Sequence, residues 1–566
     1  MKKLINNPSH VVREMLEGLA RLNPDTALLG DENVLIRREA GNPSSRPVAL
    51  ISGGGSGHEP AHAGYVGAGM LSAAVCGQVF TSPSTDAVLA AIRATAGPNG
   101  ALLIVKNYTG DRLNFGLAAE LARGEGIPVE VTLVADDVAL RTQTVRSKRR
   151  GIAGTVLVHK LAGAAAARGL PLREVAAIAD AAVADMGTMG VALDGCTLPG
   201  AAHSGFELSD DEIELGLGIH GEKGVRRVAP MLADELAETL VANIVEDLSI
   251  DSGQRVALLV NGLGATPDME LAIMLRAAHA SLMQRGVIVD RAWSGTFLSA
   301  IDMPGCSISI MKLDDERTTL LDAPTQARAW PRLGRVSDNL RVELPPTPET
   351  PLPPLDAAGE EWAAVLEPVL RSVASALLAS ESKLAELDAI AGDGDLGASM
   401  RRAAEAIQQL PRSALNSPSS ALAATASALR KAIAGSSGPF YATALARASR
   451  VLAGASRPTA GEWADAFRSG IEAISELGGA KAGDRTMLDA LVPAANALDE
   501  ALAAKQLPSN AWSGAVLAAE HGANETTHMA PRAGRASYLG DRAVGSPDAG
   551  AVAVTCWLRA LIPHVR

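Results

Sequence analysis

Residues 345–356 read Pro-Pro-Thr-Pro-Glu-Thr-Pro-Leu-Pro-Pro-Leu-Asp. Prolines this dense remove the amide donors that a helix or an inner strand needs, so the stretch is extended and semi-rigid. No common core runs through such a segment, and the chain divides around it. The expected division is 1–340, a linker at 341–358, and 359–566. Composition changes across the boundary: short β-rich runs ending in glycines precede it, and alanine- and leucine-rich helical patterns follow it. A chain of 566 residues is in any case longer than one ordinary domain.

The first part reads as α/β. Strands are expected at 47–52, where Gly53-Gly-Gly-Ser-Gly57 ends the run, and at 101–105, 129–134 and 256–260, with more near 287 and 307. Helices are expected at 84–96 and 151–168. This alternation predicts largely parallel, covered sheets in two lobes, with ligands gathering at the carboxyl ends of the strands. The second part reads as all-α, with eight helices: 362–389, 396–409, 419–434, 441–453, 460–477, 484–503, 510–530 and 549–562.

Bulk properties exclude some classes. Net charge is −12 and no basic block occurs, which argues against nucleic acid or an anionic membrane as partner. No apolar run is read as long enough to span a bilayer. The cysteines, Cys76, Cys196, Cys306 and Cys556, form no CxxC pair, so buried free thiols are expected rather than a zinc site or disulfides. The N-terminus begins like a signal n-region, but Asn6, Asn7, Pro8 and Ser9 interrupt it, so the expected location is cytoplasmic.

Several short constellations carry chemistry. Asp388-Ala-Ile-Ala-Gly-Asp393-Gly-Asp395 places three carboxylates close together. They repel one another unless a cation joins them, and magnesium suits oxygen ligands with sites left for phosphates; the EF-hand spacing of a calcium loop is missing. Ser52-Gly-Gly-Gly-Ser-Gly-His58 lacks the third glycine of a dinucleotide loop, and no GxxxxGK[ST] occurs. It instead sets amides and His58 beside a small polar ligand. Lys106-Asn-Tyr-Thr-Gly-Asp111 ends another strand, and His58 with Asp111 are general-base types. Gly216-Leu-Gly-Ile-His220-Gly-Glu-Lys-Gly224 surrounds one histidine with glycines, so little side-chain mass is available to pack on it. A neutral imidazole there is a nucleophile toward a carbonyl. In the helical part, the turns 434–439, 478–489 and 534–540 offer amides, hydroxyls and cations to a nucleotide.

Together these motifs resemble the single-chain ATP-dependent dihydroxyacetone kinases. The resemblance runs over essentially the whole chain and is strongest at 52–67, 106–111, 149–160, 216–224, 388–397, 479–489 and 534–538. It implies an α/β substrate part followed by an eight-helix nucleotide barrel. The ketone is implied to form a hemiaminal on His220, with Gly55, Ser56, Gly57, His58, Ser82, Lys106 and Asp111 around it. His58 and Asp111 are implied to take the proton from the attacking hydroxyl. Asp388, Asp393 and Asp395 are implied to hold two magnesium ions on ATP, enclosed by Leu396, Gly397, Ala398, Ser399, Ser436, Ser437, Gly438, Gly483, Thr486, Met487 and Arg535. A homodimer is implied in the same way.

Three positions depart from the family pattern. Leu396 stands where a Thr or His is common near the phosphates, Lys223 stands for a proline, and Gly262-Leu-Gly-Ala-Thr differs from the usual Asn-containing version. Erythrulose is the alternative substrate. The phosphoenolpyruvate-dependent relatives normally split the two parts between chains, and animal relatives add an FAD-cyclising activity. A non-catalytic transcriptional coregulator needs no metal-binding aspartates, so the presence of all three argues against it.

Overall fold

Strand Ala49–Ser56 runs straight through the glycine series that was expected to end it, because its neighbour approaches too closely for side chains. A Cβ on Gly53 would collide with the Val75 carbonyl of the parallel partner strand. This strand, β3, lies near the middle of the first sheet. The others are β1 Thr26–Leu28, β2 Val34–Arg37, β4 Ala73–Val79, β5 Ala101–Lys106 and β6 Val129–Val134, in the order β1-β2-β4-β3-β5-β6. β4, β3, β5 and β6 are parallel, and β1 and β2 form an antiparallel edge. The carboxyl ends of β3, β4 and β5 therefore open on one side of the sheet.

The second sheet corrects the expectation of a largely parallel lobe. Its strands are β7 Met186–Ala192, β8 Ile213–Leu215, β9 Arg226–Val228, β10 Arg255–Gly262, β11 Ile288–Gly295 and β12 Gly305–Lys312, in the order β11-β10-β12-β7-β8-β9. Only β10 and β11 are parallel, joined through the helix Asp268–Gln284; β12 returns between β10 and β7, antiparallel to both. β8 and β9 follow β7 without crossover helices and also pair antiparallel.

The computed structural model describes residues 3–38, 43–222, 224–331, 334–337, 340–343, 345, 354–538 and 540–566. The chain forms two compact units, Met1–Glu343 and Leu344–Arg566. Much of the expected linker 341–358, and Lys223, lie outside the described residues. Helix Ala357–Ala379 starts inside that linker, where the Asp356 carboxylate accepts the Gly359 amide at 2.7 Å.

Local capping set other boundaries. Ser84 caps the helix Thr85–Thr95. The helix expected from 151 begins at Thr155, because the Asp136 carboxylate holds the Ile152 and Gly154 amides at 2.7 and 2.9 Å and shapes the preceding turn. Asn261, fully buried on β10, accepts the Phe297 and Leu298 amides, each at 2.8 Å, and donates to the Leu298 carbonyl and the Ser307 hydroxyl. It thereby fixes the segment that carries Ser299 and Ile301. The cysteines are free; Cys556 is partly exposed and the other three are buried.

The second unit is helical, with nine α-helices among the described residues rather than eight: Ala357–Ala379, Glu381–Ala391, Leu396–Gln408, Pro418–Ala432, Ser437–Val451, Ala460–Gly478, Leu488–Ala503, Pro508–Glu525 and Ala549–Ala560. The first expected helix breaks at Ser380, whose hydroxyl bonds the Ala376 carbonyl at 2.8 Å. Helix Ala357–Ala379 is, against expectation, long and apolar enough to cross a bilayer, with mean hydropathy 1.4 over 18 residues. Its composition has an internal use. Leu366, Val369, Leu370 and Val373 line an apolar cavity of about 610 Å³, closed on other sides by residues such as Phe467 and Trp512.

Candidate active site

In the first unit, the ends of β3, β4 and β5 deliver most of the predicted residues to one place. β3 ends in Ser56, followed by Gly57 and His58. β5 ends in Lys106, and Asp111 lies in the first turn of helix Thr109–Gly124. Ser82 follows β4 and receives a hydrogen bond from Asn114 Nδ2 at 3.4 Å. The Ser56 hydroxyl donates to the Gly77 carbonyl at 2.7 Å, so it is used within the sheet.

The loop after β8 brings His220 against His58, with ring centroids 4.8 Å apart and edge-on geometry. Phe80 and Tyr108 complete the wall, at 5.2 and 4.5 Å from the His220 ring. Neither aromatic was a predicted site residue; Tyr108 stood inside a quoted motif, and Phe80 gave no signal.

Unpartnered atoms distinguish this pocket. His58 Nε2, Lys106 Nζ, Asp111 Oδ1 and the Tyr108 hydroxyl are all buried without a hydrogen-bond partner. A fold rarely strands that many polar atoms together unless a ligand or water completes them. His58 Nδ1 lies 2.9 Å from the Ser299 carbonyl. A carbonyl only accepts, so Nδ1 carries the proton and Nε2 presents a lone pair. Burial, followed by the charges of Lys106 and His220, lowers the His58 pKa well below the usual imidazole value, which keeps the ring a neutral base. Burial also lowers Lys106, while Asp111, Glu59 and Glu222 act in the opposite direction.

In the second unit, Asp388 lies in the last turn of helix Glu381–Ala391, and Asp395 stands at the N-cap position of helix Leu396–Gln408 without a side-chain cap hydrogen bond. Carboxylate oxygens of Asp388, Asp393 and Asp395 lie within 4.8 Å of one another. Three oxygen donors at a solvent-facing turn fit a hard divalent cation that keeps water or phosphate ligands. The Leu396 amide donates to Asp388 Oδ2 at 3.3 Å, but its side chain packs into the apolar cluster around Leu384 and Met400. Ser399 is buried, and its hydroxyl accepts from Arg402.

The Gly483–Met487 loop is organised from below. Asp489 accepts the Gly483 and Thr486 amides at 2.5 and 2.8 Å, and Met487 packs on the core. Arg485, fully buried, donates to the Thr526, Ala543 and Ser546 carbonyls and ties this loop to the segment before the last helix. Asp548 caps that helix. Burial pushes its carboxyl up to about 6, with Asp489 and Asp388 adding to the rise. Asp489 and Arg485 stood in a quoted motif without an assigned role. Ser436, Ser437 and Gly438 form the start of helix Ser437–Val451, which has no side-chain cap. Among the described residues no hydrogen bond joins them to the aspartates. Arg535 opens a short 3-10 turn, and its side chain lies outside the described residues.

Comparison with known proteins agrees with this two-part construction. The Dak1 domain profile matches residues 17–329 and the DAK2 domain profile residues 390–563. The triokinase/FMN cyclase of Mus musculus is 43% identical over 575 residues, covering 99% of this chain and 98% of the relative. The D-erythrulose kinase of Mycolicibacterium smegmatis is 37% identical over 569 residues, covering 99% and 98%. The solved structure of the C. freundii dihydroxyacetone kinase in complex with AMP-PNP and Mg2+ aligns with a TM-score of 0.66 at 34% identity, covering 99% of each chain.

Proposed function

Because the chain belongs to the single-chain dihydroxyacetone kinase family, with Dak1 and DAK2 domains fused in one polypeptide, we propose that it phosphorylates dihydroxyacetone to dihydroxyacetone phosphate with ATP. The observation that carries this reading is the pocket of buried, unpartnered groups at His58, Lys106 and Asp111 beside the His220 ring. Their donors and acceptors match a molecule with a carbonyl between two hydroxyls.

In this reading His220 Nε2 adds to the ketone carbon and holds the substrate as a hemiaminal. Glycerol has no carbonyl, so chemistry excludes it where shape does not. Lys106 donates to a substrate oxygen. His58 Nε2 and Asp111 accept hydroxyl protons, and they take the proton from the oxygen that attacks phosphorus. In the helical unit Asp388, Asp393 and Asp395 hold two magnesium ions, which neutralise charge on the phosphates of ATP. Helix Leu396–Gln408 starts directly after Asp395, and the N-terminal amides of a helix suit phosphate oxygens. Transfer requires the two half-sites to meet, and a homodimer is part of the proposal. The expected compartment is the cytoplasm.

Erythrulose is the second substrate reading, favoured by the D-erythrulose kinase among the relatives. Coupled ADP release with magnesium–ATP separates the two, tested against dihydroxyacetone, D- and L-erythrulose, glyceraldehyde and glycerol. The expected order of kcat/KM places dihydroxyacetone first and glycerol at background. An erythrulose in first place overturns the preferred substrate, and equal use of glycerol overturns the carbonyl trap.

A further inference from the structure

His220 is held at two points by one neighbour. Its backbone amide donates to Glu222 Oε2 at 2.9 Å, and its Nδ1 lies 3.1 Å from Glu222 Oε1. A carboxylate only accepts, so Nδ1 carries the proton, and in the neutral ring the lone pair lies on Nε2. Burial pushes the Glu222 carboxyl up, but hydrogen bonds and charge from His220 outweigh it and hold the group at about 2, ionised at any working pH. The loop is anchored behind: Arg150 Nη2 donates to the Gly216 carbonyl at 2.8 Å and Nε to Asp137 Oδ2 at 2.7 Å. Gly218 leaves the space this needs. A Cβ there would overlap Glu222 Oε2 and sit 2.8 Å from Arg150 Nη1.

We propose that Glu222 is the positioning residue of the ketone trap: it fixes the His220 tautomer that leaves Nε2 free to attack, and it then faces the cation that attack creates. This rests on the covalent reading above. In the step itself, the Nε2 lone pair forms the N–C bond, the C=O π pair moves to oxygen, and the alkoxide takes one proton from solvent. The ring is left as an alkylated imidazolium with its Nδ1 proton, and the Glu222 carboxylate opposes that charge. The other titratable groups facing the ring are His58 and Tyr108, with Arg150 and Asp137 behind the loop. The structure sets no second carboxylate against Nδ1 among the described residues.

The test uses full-length protein and C2-labelled dihydroxyacetone without ATP, read by carbon-13 NMR, with His220→Ala as the blank. The unaltered protein shows a tetrahedral C2 signal. In Glu222→Gln the adduct formation constant falls about 10- to 100-fold, the scale of one hydrogen bond to a charged group. The pH at which the adduct ring loses its Nδ1 proton falls as well, because the neutral amide no longer favours the imidazolium. Glu222→Asp keeps the charge and restores that titration, even where its shorter reach lowers the adduct constant; a purely structural residue gives no such split. An unchanged adduct constant and unchanged ring titration in Glu222→Gln, with the adduct present in the unaltered protein, overturn this inference and leave the covalent reading intact. No tetrahedral signal in the unaltered protein overturns both.

Discussion

His220→Ala is expected to abolish the ketose adduct and to lower kcat/KM for dihydroxyacetone by about 10³-fold or more, since a tethered reactant gains a large effective concentration over a diffusing one. Alanine removes the nitrogen proposed to attack the ketone and leaves a gap beside the His58 and Tyr108 rings. Lys106, His58 and Asp111 come from the strand ends rather than from this loop, so weak binding of small polyols persists. The variant should therefore lose discrimination along with rate: dihydroxyacetone and glycerol approach each other in kcat/KM. Steady-state assays with both substrates, alongside ADP release without substrate, measure this. Retained preference for the ketone at near-normal rate refutes the covalent role.

The second large effect is on the other unit. Asp393→Ala should lower kcat by about 10³-fold, the scale of losing one group that stabilises transition-state charge. It should also raise the magnesium concentration needed for half-maximal activity. Removing one carboxylate from the three that converge within 4.8 Å leaves two ligands where phosphate charge must be neutralised. The ketose adduct of this variant, read by the same labelled-substrate NMR, should be unchanged, because Asp393 lies in Leu344–Arg566 and His220 in Met1–Glu343. A normal rate and magnesium requirement remove the metal assignment; a lost adduct shows damage beyond the metal site.

Much of this architecture was legible in local residues. The helices of the second unit announced themselves by apolar period, and the structure adds local caps such as Thr459, which forms a capping box with Glu462. What stayed hidden depended on long-range neighbours. Gly53 reads as a strand breaker, and only the closeness of Val75 explains why it is a strand residue. The antiparallel course of β12 between β10 and β7 is a pairing property that no short segment encodes. The break at Ser380 falls inside a segment whose residues read as one helix.

The site shows the same division. His58, Asp111 and His220 drew attention as polar residues in glycine-containing loops after strands, and Lys106 came in only through the family resemblance. Glu222 stood in the quoted glycine-rich motif without an assigned role, although its position two residues after the histidine was the available signal. Phe80 became a pocket wall only through its contacts with His58 and His220. Leu396, a departure from the family pattern, is half-buried and packs against the apolar cluster, a contact the local sequence does not reveal.

The most direct measurement is a crystal structure of the unaltered protein grown with dihydroxyacetone and magnesium–AMP-PNP. Continuous density joining His220 Nε2 to a tetrahedral ketose C2, with ions among Asp388, Asp393 and Asp395, is the predicted result. A planar ketone lying clear of the ring, or a nucleotide bound with no ion at those aspartates, contradicts it.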